Sequence, residues 1–583
     1  MPAVTETPTV PPRVLERVAR ETPYAAERPL QPIDLWLDMN EAIAPEASAL
    51  DAAQRIDPDA VRRYPDATPI ERMLAAQFGI DARRVLATAG GDDGIDRVCR
   101  AMLDESRTLV THTPGFSMIA ASARRCGAET LNIPWDQGSF PLELALEQIT
   151  DRTGVVALVT PNNPTGLVID RDAIERVARR CAEVGAALLL DLAYIEFADD
   201  DVTFFALGLP NTVIVRTLSK AYGLAGLRVG FLLGDQRIVD ACRAVGGPFA
   251  LSAPSIAAAS SLLAANAEFA PAREPIAGER ARLASHLRSR GVEAFDSQAN
   301  FVLARFEDAE RARWTRDALR GLGVAVRGWS RSDDLDRALR ITCPGRDDAF
   351  ARLTDALDTA LAPEAILLDL DGVLADVSRS YRAAILATCE SFGVRVAPSD
   401  VAAIKARGNA NNDWFVTREL LAQRGVALDL RLVTERFEAI YQGEPSRPGL
   451  RETESLLGSI NALKQLASRI PLAIVTGRPR ADAERFLDRF GLSPLISARV
   501  CMEDGPSKPD PTVVRLALER LGVRRAWMVG DTVDDVRAAR AAGVVPIGVI
   551  APQDEPTLTT DSLLRAGAAR VLGSLDELLE ILP

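Results

Sequence analysis

Apolar positions follow two different periods along this chain. From about residue 68 to 250, runs of consecutive apolar residues (RTLVTH, GVVALVTP, AALLLDLAY, NTVIVRTLS) alternate with stretches whose apolar residues recur at helical spacing. Short continuous runs mark strands buried on both faces, and strands alternating with helices predict a mostly parallel sheet covered by helices. Between about 255 and 361, a helical stretch precedes the strand candidates NFVLARF, GVAVRGW and LRITCPG, which predicts a smaller α+β domain. After residue 365 the alternation resumes with AILLDLDG, PLAIVTG, AWMVGD and VPIGVIA, interrupted over 377–465 by a helix-rich insertion. The junction reads ALDTALAPEAILLDLDGVLAD: a helix with Leu357, Ala360 and Leu361 on one face, then a strand. Its linker, about LAPE, reaches at most ~14 Å at ~3.5 Å per residue, so the bodies it joins must abut.

The predicted organisation is therefore an N-terminal arm over 1–30, a large α/β domain over 31–254, a small domain over 255–361 and a further α/β domain over 362–583. A length of 583 residues is too long for one hydrophobic core, which agrees with this division. A net charge of −13 argues against nucleic acid or an anionic membrane as partner. No apolar run approaches the ~18 residues of a membrane span, and the Pro-rich start lacks the apolar core of a signal peptide. The seven cysteines are scattered and form no CxxC, as expected of buried thiols in the cytoplasm.

Two scarcities direct attention. With only two histidines, far apart, a zinc site or a histidine triad is not expected. Of the 68 Lys and Arg residues, only Lys220, Lys405, Lys464 and Lys508 are lysines. Where arginine replaces lysine so widely, a retained lysine is a candidate for chemistry that a permanently charged guanidinium cannot perform.

Lys220 follows a strand and precedes a Gly-rich turn in IVRTLSKAYGLAGLRVGF. Alone it reads better as a surface lysine ending a strand, but its neighbours favour an amine that condenses with the aldehyde of pyridoxal phosphate. That cofactor needs an anion at its ring nitrogen, and LLLDLAYIEF offers Asp191 at a strand end, with Tyr194 to reach the ring 3-oxygen. Asn163 in TPNNPTG is a second candidate for that oxygen. The turn AGGDDGIDR, with Gly91 and Asp92, opens a helix whose N-terminus favours a phosphate. Ser219 and Arg228 would add to the phosphate cradle, and Phe116 in TPGFSM would stack on the ring.

Nine blocks in order (TPYAAERP, LDMNEA, RRYPDATP, AGGDDGID, TPNNPTG, DLAYIEF, RTLSKAYGLAGLRVGF, SQANF, LRIT) make residues 20–361 resemble the fold-type I aminotransferases, and among them the histidinol-phosphate aminotransferases. The resemblance implies Lys220 as the cofactor-bound lysine and proton carrier, with Asp191, Tyr194 and Asn163 tuning the ring. It implies Arg340 as the grip on the amino-donor carboxylate, Asn300 close to it, and Tyr24, Tyr64 and Arg327 around the substrate phosphate. A homodimer is implied too, because the tyrosine of RYP reaches the partner's site in that family. Leu192 stands where the family usually carries Glu, and Phe116 where Tyr is common. NEAIAP replaces the usual NENP-type run.

In AILLDLDGVLAD, alternation along an extended segment points Asp369 and Asp371 the same way, and two such carboxylates need a cation or proton between them. LAIVTGRP ends a strand on Thr476, EDGPSKPDP holds Lys508, and AWMVGDTVDDV ends on Asp531, with Asp535 one turn on. Order and types resemble the haloacid-dehalogenase superfamily of phosphatases over 363–583. The resemblance implies Mg²⁺ held by Asp369, Asp531 and the Asp371 carbonyl. It makes Asp369 the nucleophile and Asp371 the acid and base, with Thr476 and Lys508 on the phosphoryl group. It makes the insertion a helical lid of the first cap type, whose segment KARGNANNDWF suits either a specificity loop or a solvated connection.

Together the resemblances imply a bifunctional enzyme of histidine biosynthesis. It would convert imidazole-acetol phosphate and glutamate to histidinol phosphate and 2-oxoglutarate, then hydrolyse the phosphate. Two other readings stay open: a different phosphorylated or aromatic amino substrate, and a non-catalytic second half.

Overall fold

The computed structural model describes residues 13–23, 28–41, 44, 47–265, 273–329, 335–405, 412–552 and 554–583. Tyr24 lies outside these residues, as do 406–411 of the KARGNANNDWF segment. A seven-stranded sheet occupies the first half, and its five central and edge strands Thr108–Thr113, Glu129–Pro134, Thr153–Val159, Ala187–Asp191 and Thr212–Thr217 run parallel. Gly230–Gly234 and Val85–Thr88 complete it, with Gly230–Gly234 antiparallel to both its neighbours. Alternate residues of one strand enter different cores: Val156 and Leu158 pack with one helical layer, Val155, Ala157 and Val159 with the other. Burial on both faces is why these strands are written as unbroken apolar runs.

The small domain pairs Phe301–Arg305, Val324–Gly328 and Ala338–Thr342 as antiparallel neighbours. Leu35–Leu37, from before the large sheet, adds parallel to Val324–Gly328. The last region is a six-stranded, all-parallel sheet with Ala365–Leu368 near its centre, between Leu472–Val475 and Ala526–Gly530. Helices Tyr381–Ser391, Pro398–Lys405, Asp413–Gln423 and Leu430–Gln442 form the insertion. Its entry and exit pair as a short antiparallel ladder, Ala375 opposite Leu456 and Asp376 opposite Ser455.

Helix Asp347–Leu361 runs into strand Ala365–Leu368 through residues 362–364 alone. The abutment expected from so short a link is extensive. Ala318 and Ala360 share one apolar core with Ile366, Leu368 and Val529. Arg570 Nη2 lies 2.8 Å from Asp317, and Gln31 donates to the Ala568 carbonyl at 3.0 Å. All seven cysteines are free, and six are buried. Among the described residues, no helix is long and apolar enough to cross a membrane.

Candidate active sites

The first site is a cavity of about 910 Å³ beyond the C-terminal ends of the large sheet's parallel strands, the end where open α/β sheets bind ligands. Gly91, Asp92, Phe116, Asn163, Asp191, Tyr194, Ser219, Lys220, Arg228, Arg327 and Arg340 all line it. They come from positions some 250 residues apart in sequence, so their convergence is a product of the fold.

Lys220 Nζ donates to the Met39 carbonyl at 2.8 Å and sits 5.8 Å from the Tyr194 ring centre. Asp191 is buried at the strand end, and burial pushes its carboxyl up to about 7, opposed by the Ala193 N–H and by Lys220. A carboxyl so destabilised as an anion awaits a cation or a shared proton. The Tyr194 hydroxyl receives Asn40 Nδ2 at 2.9 Å and Asn163 Nδ2 at 3.4 Å. Arg340 is clamped by Asn163 Oδ1 and the Asp38 carbonyl, both at 2.6 Å. Arg327 and Arg340 face each other across adjacent antiparallel strands, a like-charge pairing that costs stability unless an anion lies between.

The phosphate side is built on close approaches. Helix Gly90–Met102 begins with no side chain capping it, so its first N–H groups and dipole face the cavity mouth. Arg228 holds a left-handed conformation, φ 53°, rare for a non-glycine residue, and pairs with Asp92 at 3.1 Å. A Cβ on Gly90 would lie 2.5 Å from the Arg228 guanidinium, and one on Gly230 equally close to the Gly90 backbone. The cavity volume, a buried carboxyl opposite an amine, and an uncapped helix beside a guanidinium fit pyridoxal phosphate.

Two expected residues lie elsewhere. Tyr64 is exposed and stacks on Phe249 with ring centres 4.5 Å apart, beside a separate pocket of about 320 Å³. Asn300 is buried behind the cavity and donates to the Asn40 carbonyl at 3.1 Å. Asn40, fully buried and left-handed at φ 55°, was not singled out by the sequence. Its place inside LDMNEA, one of the ordered blocks, was the available signal.

The second site lies at the C-terminal ends of three central strands of the six-stranded sheet, which deliver Asp369, Thr476 and Asp531. Carboxylate oxygens of Asp369, Asp531 and Asp535 lie within 4.8 Å of one another, a set able to hold a divalent cation. Lys508 bridges two of them, 3.0 Å from Asp369 and in contact with Asp535. Burial pushes the Asp369 carboxyl up to about 7 against the pull of Lys508, with Asp535 and Asp371 adding to the rise. Burial works against the Lys508 charge, yet Asp369 and Asp535 together raise its pKa. A Cβ on Gly372 would lie 2.1 Å from Asp531 Oδ2, so the loop must pass the cluster as glycine. Three clustered carboxylates on hard oxygen donors fit Mg²⁺.

Asp535 joins the expected Asp369 and Asp531 in the side-chain cluster, and the Asp371 carboxylate, expected to point the same way as that of Asp369, instead accepts from Arg478 Nε at 2.6 Å. Asp371 is two residues beyond Asp369 on a loop past the strand end, where strict strand alternation no longer applies.

Comparison with known proteins gives matches to both halves. The aminotransferase class I and II family matches residues 36–357, and the haloacid dehalogenase-like hydrolase family matches 363–543. A histidinol-phosphate aminotransferase of Dinoroseobacter shibae is 35% identical over 326 residues, covering 55% of this chain and 89% of that protein. An imidazoleglycerol-phosphate dehydratase of Phytophthora nicotianae is 44% identical over 237 residues, 38% of this chain. The chain spans about half, 52%, of that relative's length. The crystal structure of histidinol-phosphate aminotransferase from Sinorhizobium meliloti in complex with pyridoxal-5'-phosphate shares the fold, with TM-score 0.54 and 24% identity. It covers 60% of this chain and 97% of its own.

Proposed function

We propose, for a chain that belongs to the class I and II aminotransferases and continues into a haloacid dehalogenase-like hydrolase domain, two consecutive reactions on one phosphorylated compound. The first is transamination of imidazole-acetol phosphate by glutamate, giving histidinol phosphate and 2-oxoglutarate. The second is hydrolysis of histidinol phosphate to histidinol, so that the protein serves histidine biosynthesis. The observation that carries the reading is the facing pair Arg327 and Arg340 in the Lys220 cavity, two guanidiniums suited to the carboxylate of the donor and the phosphate of the ketone as each occupies the site in turn. In this reading residues 31–254 and 255–361 form the transaminase and 362–583 the hydrolase. The transaminase part forms a homodimer, which gives exposed Tyr64 a neighbouring subunit's site to enter, and the protein works in the cytoplasm.

Pyridoxal phosphate, when bound, supplies the aldehyde that takes up the amino group and the ring that withdraws electrons. Asp191 holds the ring nitrogen, Tyr194 and Asn163 the ring oxygen, and Phe116 one ring face. The amides at Gly91, with Asp92, Ser219 and Arg228, hold its phosphate. Lys220 Nζ would carry the proton between the amino-bearing carbon of the substrate and the aldehyde carbon of the cofactor. Arg340 orients the donor carboxylate, and Arg327 the substrate phosphate.

Mg²⁺, when bound by Asp369, Asp531 and the Asp371 carbonyl, supplies positive charge against the carboxylate–phosphate repulsion. Asp369 attacks phosphorus, and Asp371 gives a proton to the departing oxygen and later takes one from water. Lys508 and Thr476 stabilise the charge on the phosphoryl oxygens. The test is phosphate release from imidazole-acetol phosphate by the intact protein, with and without glutamate. Release that depends on glutamate supports the sequence of reactions. Release without glutamate, or none with it, defeats it.

A further inference from the structure

Arg478 is among the most buried charged residues of the chain: its side chain is 1% exposed, although it starts from the loop after strand Leu472–Val475. A guanidinium taken so far from water must be compensated on every side. Its Nε donates to Asp371 Oδ1 at 2.6 Å, and its Nη1 donates to Glu454 Oε2 at 3.1 Å. The guanidinium carbon lies 4.9 Å from the Tyr381 ring centre and 5.4 Å from that of Phe486. Glu454 is itself buried, and its other oxygen receives Ser380 Oγ at 2.9 Å and Tyr441 OH at 3.0 Å.

These partners lie on both sides of the helical insertion. Ser380 and Tyr381 stand where the chain enters it, Tyr441 in its last helix, and Glu454 where the chain returns to the sheet. The ladder Ala375–Leu456 and Asp376–Ser455 binds the same two passages together. Arg478 is thus a buried cation that joins Asp371 to both passages of the insertion.

We propose that Arg478 is a positioning residue that sets where the Asp371 carboxyl stands according to the seating of the helical insertion. The proposal rests on the phosphatase reading above. In that reaction the Asp369–phosphorus bond forms as the ester P–O bond breaks. The electron pair left on the ester oxygen takes the proton from Asp371. An acid misplaced by an ångström serves an alkoxide poorly, but a nitrophenolate leaves without a proton. The role of Arg478 should therefore depend on the leaving group, which a general loss of folding would not.

The experiment compares the full chain with Mg²⁺ and its Arg478→Ala variant on histidinol phosphate and on p-nitrophenyl phosphate. Turnover of the alkyl ester should fall about 100-fold with KM little changed, while the nitrophenyl ester loses less than about 5-fold, the scale of a lost general acid. Added guanidinium should restore part of the alkyl-ester turnover. In the metal-free protein, limited proteolysis should cut faster at 377–380 and 449–456 in the variant. Arg478→Lys keeps the charge but cannot span two carboxylates, and should fall between the two proteins. It carries the same test if the alanine variant does not fold. Equal loss on both esters, or no loss on either, overturns the proposal. A wild-type chain inert on both esters overturns the phosphatase reading and this proposal with it.

Discussion

The indole rings of Trp314 and Trp527 lie 4.5 Å apart, centre to centre, across the boundary between the small domain and the hydrolase sheet. Both side chains are fully buried, and Trp527 Nε1 donates to the Thr359 carbonyl at 2.8 Å. Trp314→Ala should destabilise the chain by about 3–5 kcal/mol, as truncation of a buried aromatic does. In a double-mutant cycle the pair should couple by about 1 kcal/mol. Additive losses in chemical denaturation would show that the contact contributes packing on each side separately.

Lys220→Ala and Lys220→Arg should both abolish transamination, by at least ~1000-fold, because neither offers an amine that can lose its proton. The absorbance of bound pyridoxal phosphate should change with them. Phosphate release from histidinol phosphate should remain within about 2-fold of wild type, since no residue of the second site lines the Lys220 cavity. A parallel loss of both activities would contradict separate sites.

Asp369 carries the pH dependence of the hydrolase site. Its folded pKa, pushed up to about 7 by burial, exceeds the value of an unfolded aspartate. The sign follows: stability is lost as pH rises from roughly 4 through about 7, where the unfolded chain ionises and the folded site resists. A divalent cation relieves that cost only where Asp369 is ionised. Mg²⁺ should therefore raise Tm little near about pH 5 and by several degrees near about pH 7.5. Asp369→Asn should flatten the difference and reduce phosphate release at least ~1000-fold. A pH-independent Mg²⁺ effect in differential scanning calorimetry would count against the assignment.

Arg340 and Arg327 should separate by substrate. Arg340→Lys loses a bidentate grip and should raise KM for glutamate about 10–100-fold. Arg327→Ala should raise KM for the phosphorylated ketone by a similar factor and leave that for glutamate near wild type. Steady-state kinetics with each substrate varied in turn distinguish them. Identical effects on both constants would show that the pair acts as one undivided anion site.

Much of this architecture was legible because the candidate site residues sit at, or within three residues of, the ends of strands that are apolar runs. Asp191 ends its strand, Asp369, Thr476 and Asp531 directly follow theirs, and Lys220 comes three residues after its own. The edge strands Val85–Thr88, Glu129–Pro134 and Ile496–Val500 lacked it, being short or partly polar. Arg478 was hidden for another reason. Its motif, TGRP, was read only as far as Thr476, and its partners Asp371 and Glu454 lie 107 and 24 residues away. A buried arginine and a surface one look alike until the fold supplies the partners. Asn40 was concealed in the same way, since the Tyr194 hydroxyl it meets is 154 residues distant.

The three-residue passage from Leu361 to Ala365 has a mechanical consequence. A helix that continues almost without pause into the central strand of another sheet acts as a lever with no swivel. A tilt of Asp347–Leu361 therefore passes straight to strand Ala365–Leu368 and to Asp369 just past its end, so the junction couples the two sheets mechanically.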